Sequence, residues 1–159
     1  MGCRDAWVEV PSKVDGPVQL AEYDPRWPER YEQEAAAIRR ALGDRVVRLE
    51  HIGSTSVPGL AAKPIIDIVL AVPDPVDEEA FVPGLGRAGY RLVIREPGWH
   101  EHRLLRKRPH DDVNLHVYGP GCPEIERHPR SLSVKPLRKI EGGFAGGPRL
   151  WPRRRGCAS

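Results

Sequence analysis

The chain has 159 residues, 40% of them apolar and 30% charged, which suits one globular domain with its own core and is too short for two of ordinary size. Its formal net charge of +3 is unevenly placed: residues 1–128 hold 17 basic and 21 acidic side chains, net −4, and residues 129–159 hold 8 basic and 1 acidic, net +7. The main part of the chain therefore lacks the general basic footprint of a nucleic-acid binder, and no apolar run approaches the roughly 20 residues of a membrane-spanning helix.

Residues 1–16 mix polar and apolar side chains without a period and read as an N-terminal extension. Arg4, Asp5 and Glu9 interrupt any apolar stretch there, so a secretory signal is not expected. Cys3, Cys122 and Cys157 are scattered, with no C-x-x-C pair. This argues against a disulfide scaffold or a cysteine zinc site and fits a reducing, cytoplasmic setting. Val18 to Tyr23 reads as a first strand. A helix follows from Asp24-Pro25-Arg26-Trp27-Pro28-Glu29, with proline in its first turn and acids at its N-terminal end. Tyr31, Ala35, Ile38 and Leu42 give it one apolar face, and Gly43 stops it.

Arg45 to Ile52 alternates as a strand, and the small-residue turn Gly53-Ser54-Thr55-Ser56-Val57-Pro58-Gly59 follows. Ile65 to Val72 is almost continuously apolar and β-branched, the pattern of a central strand buried on both faces. Asp77 to Ala88 reads as a helix broken at Pro83-Gly84. Tyr90 to Arg95, Glu101 to Arg106 and Val113 to Tyr118 read as three further strands, and their short connections imply antiparallel neighbours. The expectation is an α+β domain: a mixed sheet of about five strands with two or three helices. From Pro129 the pattern changes to four prolines, five glycines and eight basic residues without a period. That tail, residues 129–159, reads as disordered or non-native, and Arg153-Arg154-Arg155 as a basic arm is the alternative.

The chemistry-bearing residues cluster around one turn and one strand. Asp67 lies between Ile66 and Ile68, where a carboxylate is costly unless it is hydrogen-bonded, paired or bound to a metal. The Gly53-Ser54 turn after a strand offers backbone N–H groups and a hydroxyl that suit phosphate oxygens. Together they suggest a site for phosphate with a divalent metal; the alternative is a plain turn with Asp67 as a local cap. Lys63 could reach a phosphate as a point charge or be a solvated loop lysine. Gly53 to Gly59 does not have P-loop spacing, and no Gly-Lys-Ser follows. Asp112, Asn114 and His116 share one strand face by their period of two, as pocket or as wetted edge. His100 and His102 share a face with Glu101 opposite, a spacing open to metal, though no third ligand is evident. His51, at a strand end, could orient the turn, contact a ligand or fill core space. No nucleophile elbow of the G-x-S-x-G kind is present.

Glu22-Tyr23-Asp24-Pro25-Arg26-Trp27-Pro28, His51-Ile52-Gly53-Ser54-Thr55-Ser56-Val57-Pro58-Gly59-Leu60, Lys63-Pro64-Ile65-Ile66-Asp67-Ile68, Asn114-Leu115-His116-Val117 and Glu124-Ile125-Glu126-Arg127-His128 resemble the GrpB family. The resemblance covers residues 17–128, the expected domain. It implies a branch of the nucleotidyltransferase superfamily, and a family that also occurs fused to dephospho-CoA kinase in some bacteria. Carried over residue by residue, it implies that Gly53, Ser54 and Thr55, with Lys63, bind the phosphates of a nucleoside triphosphate. Asp67 would hold Mg2+ or Mn2+ and act in catalysis, and His51, Asn114 and His116 would line the pocket. The implied reaction is attack by an acceptor, not identified by the sequence, on the α-phosphorus, with pyrophosphate leaving.

Two departures qualify the resemblance. The superfamily's acid-hydrophobic-acid pair is reduced here to Asp67-Ile68-Val69, so the second carboxylate is missing. This favours the alternative of a non-catalytic nucleotide-binding or regulatory module, linked to CoA metabolism by the family's fusions. Past His128, the Arg/Pro/Gly-rich tail replaces the family's usual helical continuation, as expected of a reading-frame shift in a GC-rich gene. The protein's intact mass against the mass of this sequence tests that; agreement contradicts it.

Overall fold

The computed structural model describes residue 8, residues 19–107, residue 110 and residues 112–130, with 127–130 described by backbone alone. Apart from Val8 and the backbone of residues 129 and 130, the expected extension 1–16 and tail 129–159 lie outside the described residues.

Helix α1 spans Trp27–Leu42. Before it, the Asp24 carboxylate accepts the Arg26 backbone N–H at 2.9 Å, setting the turn that opens the helix. Pro28 then costs nothing in the first turn, where its missing N–H has no helical partner. Trp27, Ala35, Ile38 and Leu42 are buried along one face, as the apolar spacing requires. The expected first strand over Val18 to Tyr23 is reduced, among the described residues, to a single bridge between Ala21 and Ala62. That short segment finds only one partner residue, so no ladder forms.

The sheet has five strands: β1 Arg48–Ile52, β2 Ile66–Ala71, β3 Tyr90–Glu96, β4 His102–Lys107 and β5 Val113–Tyr118. Their order is β1-β2-β5-β4-β3. β2 pairs antiparallel with β1 and parallel with β5, and β4 pairs antiparallel with both β5 and β3. The α+β mixed sheet flanked by helices is thus as expected. β1 begins three residues later than expected because residues 43–45 form a 3-10 turn instead.

The expected helix broken at Pro83-Gly84 is different in kind. Residues 78–80 make a 3-10 turn, and helix α2, Val82–Arg87, begins at the proline rather than being broken by it. Gly84 packs directly under α1. A Cβ there would stand 3.0 Å from the Ala41 carbonyl oxygen and 3.3 Å from Leu42 Cδ2. The glycine therefore serves close helix approach rather than interruption.

β2 carries the division of the molecule. Ile66, Ile68 and Leu70 point to one face and join Leu49, Leu105, Val113, Leu115 and Val117 under α1 and α2. On the other face Ile52, Val69, Ala71 and Tyr118 pack with Cys122 and Ile125, the latter from helix α3, Pro123–Arg130. β2 is buried along its length except at Asp67. The expectation of a strand buried on both faces holds with that one exception, and the exception is the candidate site.

Candidate functional site

The parallel pairing of β2 with β5 sets Asp67 beside Asn114 and Val69 beside His116. All four side chains project away from α1 and α2, because the alternate positions supply the helix-side core. Asn114 Nδ2 donates to Asp67 Oδ1 at 2.9 Å, and His116 Nε2 lies 3.9 Å from the same oxygen. The Asp67 and His116 side chains are 30% and 26% exposed, so the group is open to ligand on one side.

The turn after β1 closes the other side. Gly53 has φ 73° and ψ −169°, a backbone region that only glycine enters without strain. A Cβ at this position would stand 2.9 Å from Asp67 Oδ2. The glycine therefore lets the turn lie directly against the carboxylate. Ser54 is exposed at the head of the turn, and the Ser56 hydroxyl donates to the Gly53 carbonyl at 2.6 Å.

His51 and Thr55 brace this turn from behind. The Thr55 hydroxyl donates to the Ile65 carbonyl at 3.1 Å and accepts from His51 Nε2, 3.0 Å away. Thr55 is 1% exposed, so both of its hydrogen-bonding directions are spent within the protein and it is not placed to meet the phosphate expected of it. His51 pairs with Ile68 across the β1–β2 ladder, which puts it on the helix side, stacked on Tyr31 at 4.9 Å between ring centres. It therefore does not line the Asp67 pocket. Burial holds its imidazole below the usual histidine range, partly offset by the charges of Asp67 and Glu32, so it acts as a neutral N–H donor.

Three other expectations separate from the site. Lys63 is exposed in the segment before β2, and among the described residues no hydrogen bond or ion pair ties its ammonium to the turn or to Asp67. Asp112 precedes β5, and its carboxylate takes the Arg30 guanidinium of α1, which removes it from the Asn114–His116 face. His100 and Glu101 both have φ 53°, in the turn that joins β3 to β4. His100 is thus off the strand, and the shared face read for His100 and His102 is absent.

His102 instead belongs to a chain that single-strand spacing could not reveal. Its Nδ1 lies 2.7 Å from Glu96 Oε2, and its Nε2 lies 3.1 Å from His116 Nδ1. The two histidine rings stack with centres 5.3 Å apart, and Tyr118 stacks on His102 at 4.8 Å. Burial pushes the His102 imidazole down to about 4, against the pull of Glu96, so it is neutral near pH 7. Arg106 was also missed. It pairs with Asn114 across the β4–β5 ladder and so shares its face. Arg106 Nε and Asn114 Oδ1 are both buried, and neither has a hydrogen-bond partner among the described residues. The signal for both residues lay in strand order, which sequence periodicity does not carry.

The family model described as GrpB protein matches residues 17–132. The chain belongs to the GrpB family. A UPF0157 protein of Halalkalibacterium halodurans is 56% identical over 110 residues, covering 69% of this chain and 56% of that protein. A UPF0157 protein of Streptomyces coelicolor is 50% identical over 111 residues, covering 70% and 57%. The chain thus spans somewhat over half the length of these relatives. A dephospho-CoA kinase of Mycolicibacterium paratuberculosis is 38% identical over 132 residues, covering 67% of this chain but 32% of the kinase. The crystal structure of a GrpB protein from Enterococcus faecalis superposes with a TM-score of 0.62 at 39% identity, covering 69% of this chain and 67% of that one. The GrpB resemblance drawn from the motifs and the fold it implied therefore stand.

Asp67 and His116 are the side chains on this face that could take part in holding a divalent cation. One carboxylate and one imidazole face each other at its open side. Among the described residues no three His, Cys, Asp or Glu side chains gather as a metal site. A cation here would need ligand oxygens to complete its shell, as phosphate-bound metals do.

Proposed function

We propose that this GrpB domain binds a nucleoside triphosphate together with one divalent cation on the sheet face at Asp67. The observation that carries the reading is the contact of the Gly53 turn with the Asp67 carboxylate, made possible by a glycine that no other residue could replace without displacing Asp67. Phosphate oxygens would take the Gly53-Ser54 backbone and the Ser54 hydroxyl, as the superfamily resemblance implies. Arg106, whose buried Nε on the same face has no hydrogen-bond partner among the described residues, would supply the positive charge that Lys63 was expected to give. The unpartnered Asn114 Oδ1 would find a donor on the same ligand. Leaving such groups open costs about 1–3 kcal/mol each, which a polar ligand would relieve.

The cation, Mg2+ or Mn2+, supplies charge neutralisation at the phosphates. The chain's own residues orient the triphosphate, so that an acceptor hydroxyl or phosphate attacks the α-phosphorus and pyrophosphate leaves. Release of pyrophosphate from an NTP, dependent on Asp67, tests this; an intact NTP with every acceptor class would contradict transfer.

A second reading has an observation of its own. Val69, where a second acid would stand, is 0% exposed and packs with Ile52, Ala71 and Ile125. The position is core, not site. This favours a module that binds nucleotide without turnover. The similarity to proteins named dephospho-CoA kinase makes CoA-pathway nucleotides the ligands to try first for that module. Metal-dependent stabilisation by such a nucleotide, without pyrophosphate release, would decide for it.

A further inference from the structure

We infer that Arg106, with Arg91 opposite it, forms the subsite for the phosphate farthest from Asp67, so that this face selects its ligand by the number of phosphates in the chain. The inference rests on the nucleotide reading of the same face and names what that reading leaves open, the position of the ligand's free anionic end.

The strand registers set one row across the sheet. Asp67 of β2 stands beside Asn114 of β5, Asn114 opposite Arg106 of β4, and Arg106 opposite Arg91 of β3. All four point away from α1. Tyr90 and Leu92, on either side of Arg91, and Leu105, before Arg106, belong to the helix-side core, and Lys107 reaches Glu34 of α1. Neighbouring strands lie about 4.8 Å apart, so the main chain at Arg106 is about 10 Å from that at Asp67. Charge therefore changes sign along the row, from a carboxylate through a neutral amide to two guanidinium groups.

The fold does not balance the charge of Arg106. The acids that the strands place on this face are Asp67, Glu50 and Glu96, and each is engaged elsewhere. Glu50 takes Arg48 at 2.6 Å, Glu96 takes His102 at 2.7 Å, and Asp67 accepts from Asn114 at 2.9 Å. Arg106 is partly buried, makes no hydrogen bond or ion pair among the described residues, and has a buried Nε. Like charges directly opposed on antiparallel strands also work against the fold. A guanidinium held at such a cost fits an anion supplied from outside, and its planar set of N–H donors suits the oxygens of a phosphate.

The order of the row gives the order of the ligand. A cation at Asp67 neutralises the phosphates beside the Gly53-Ser54 turn. The far end of a phosphate chain lies beyond that charge, and there Arg106 and Arg91 meet it. A monophosphate held at the turn stops short of the arginines; a triphosphate reaches them.

The test is calorimetric titration of the full chain with Mn2+ present, using AMP, ADP and ATP and, without a nucleoside, inorganic phosphate, pyrophosphate and tripolyphosphate. Affinity should rise with phosphate number in both series, by about tenfold or more at the step from two to three phosphates. That step should vanish in Arg106→Gln and shrink in Arg91→Gln, while AMP affinity stays near that of the unsubstituted protein. A purely structural role for the arginines would lower all affinities together and keep their ratios. Arg106→Lys, which keeps the charge and the apolar stem, should retain part of the step and serves where Arg106→Gln does not fold. ATP bound with the divalent ion but no more tightly than AMP would overturn the inference and leave the nucleotide–metal reading standing. A step that persists unchanged in a folded Arg106→Gln variant would overturn the assignment to this residue. Binding of none of these ligands would overturn both.

Discussion

A methyl group at position 53 would meet Asp67 Oδ2 at 2.9 Å on a backbone with φ 73°. Gly53→Ala should therefore destabilise the domain by about 2–3 kcal/mol, from backbone strain and displacement of the carboxylate together. Chemical denaturation measures it; a loss below about 0.5 kcal/mol would mean that the turn relaxes freely. His102 gives a pH signature. Its folded-state value near 4 lies below the 6.5 of a free histidine, so between those values the unfolded chain binds the extra proton. Stability should then fall as pH drops through this window, by about 2 kcal/mol between pH 7 and pH 5 from this group. His51, also depressed by burial, acts with the same sign. Urea titrations at both pH values would check this, and equal midpoints would contradict it. The juxtaposition of the Gly53 turn and Asp67 was legible in the sequence, because the residues concerned are close in the chain. Asp67 stood out because Ile66 and Ile68 flank it, and the glycine-serine turn because of its spacing to that strand. Of the three readings open for His51 the structure shows the brace of the turn, while the pocket implied for it by the resemblance lies on the other sheet face, since the face a strand-end residue takes depends on register.

β2 is the element on which both cores and the site depend. Val69→Asp, which restores the acid-hydrophobic-acid pattern, should destabilise the domain by about 3 kcal/mol or more, because the new charge lies in a fully buried position. Calorimetry would check this; unchanged melting would mean the position opens to solvent. The strand pattern was legible because central strands run apolar and the short β3–β4 and β4–β5 connections restrict the pairing. Pro83-Gly84 was misread as a break. Proline is tolerated in a helix's first turn, and the use of Gly84 lies in its close approach to Ala41 and Leu42 of α1, far off in the chain. The Glu96–His102–His116 chain was illegible for a similar reason. It needs the β3–β4 turn, in which His100 leaves the strand, and the sheet order that brings β4 beside β5.

At the scale of the molecule, α1 and α2 close one sheet face, and among the described residues α3 closes part of the other, against Ile52, Val69, Ala71 and Tyr118. Asp67, Asn114, His116 and Arg106 occupy that second face. Arg106→Gln should weaken triphosphate binding about tenfold while leaving melting of the free protein nearly unchanged, since it removes charge that the fold does not pair among the described residues. Titration calorimetry with ATP would check it. The fold class was legible from element order and hydrophobic pattern, and the family from contiguous motifs. The negative balance of residues 1–128 gives that part of the chain no general basic footprint for nucleic acid.

The most direct test of the whole account is calorimetric titration of ATP into the protein with Mn2+, with Mg2+ and with EDTA, beside Asp67→Asn. The partly exposed position of Asp67 makes that substitution compatible with folding, and a melting curve verifies it. The account predicts binding that requires the divalent ion and is lost in a folded Asp67→Asn variant. Equal affinity in EDTA, or in the variant, would contradict it.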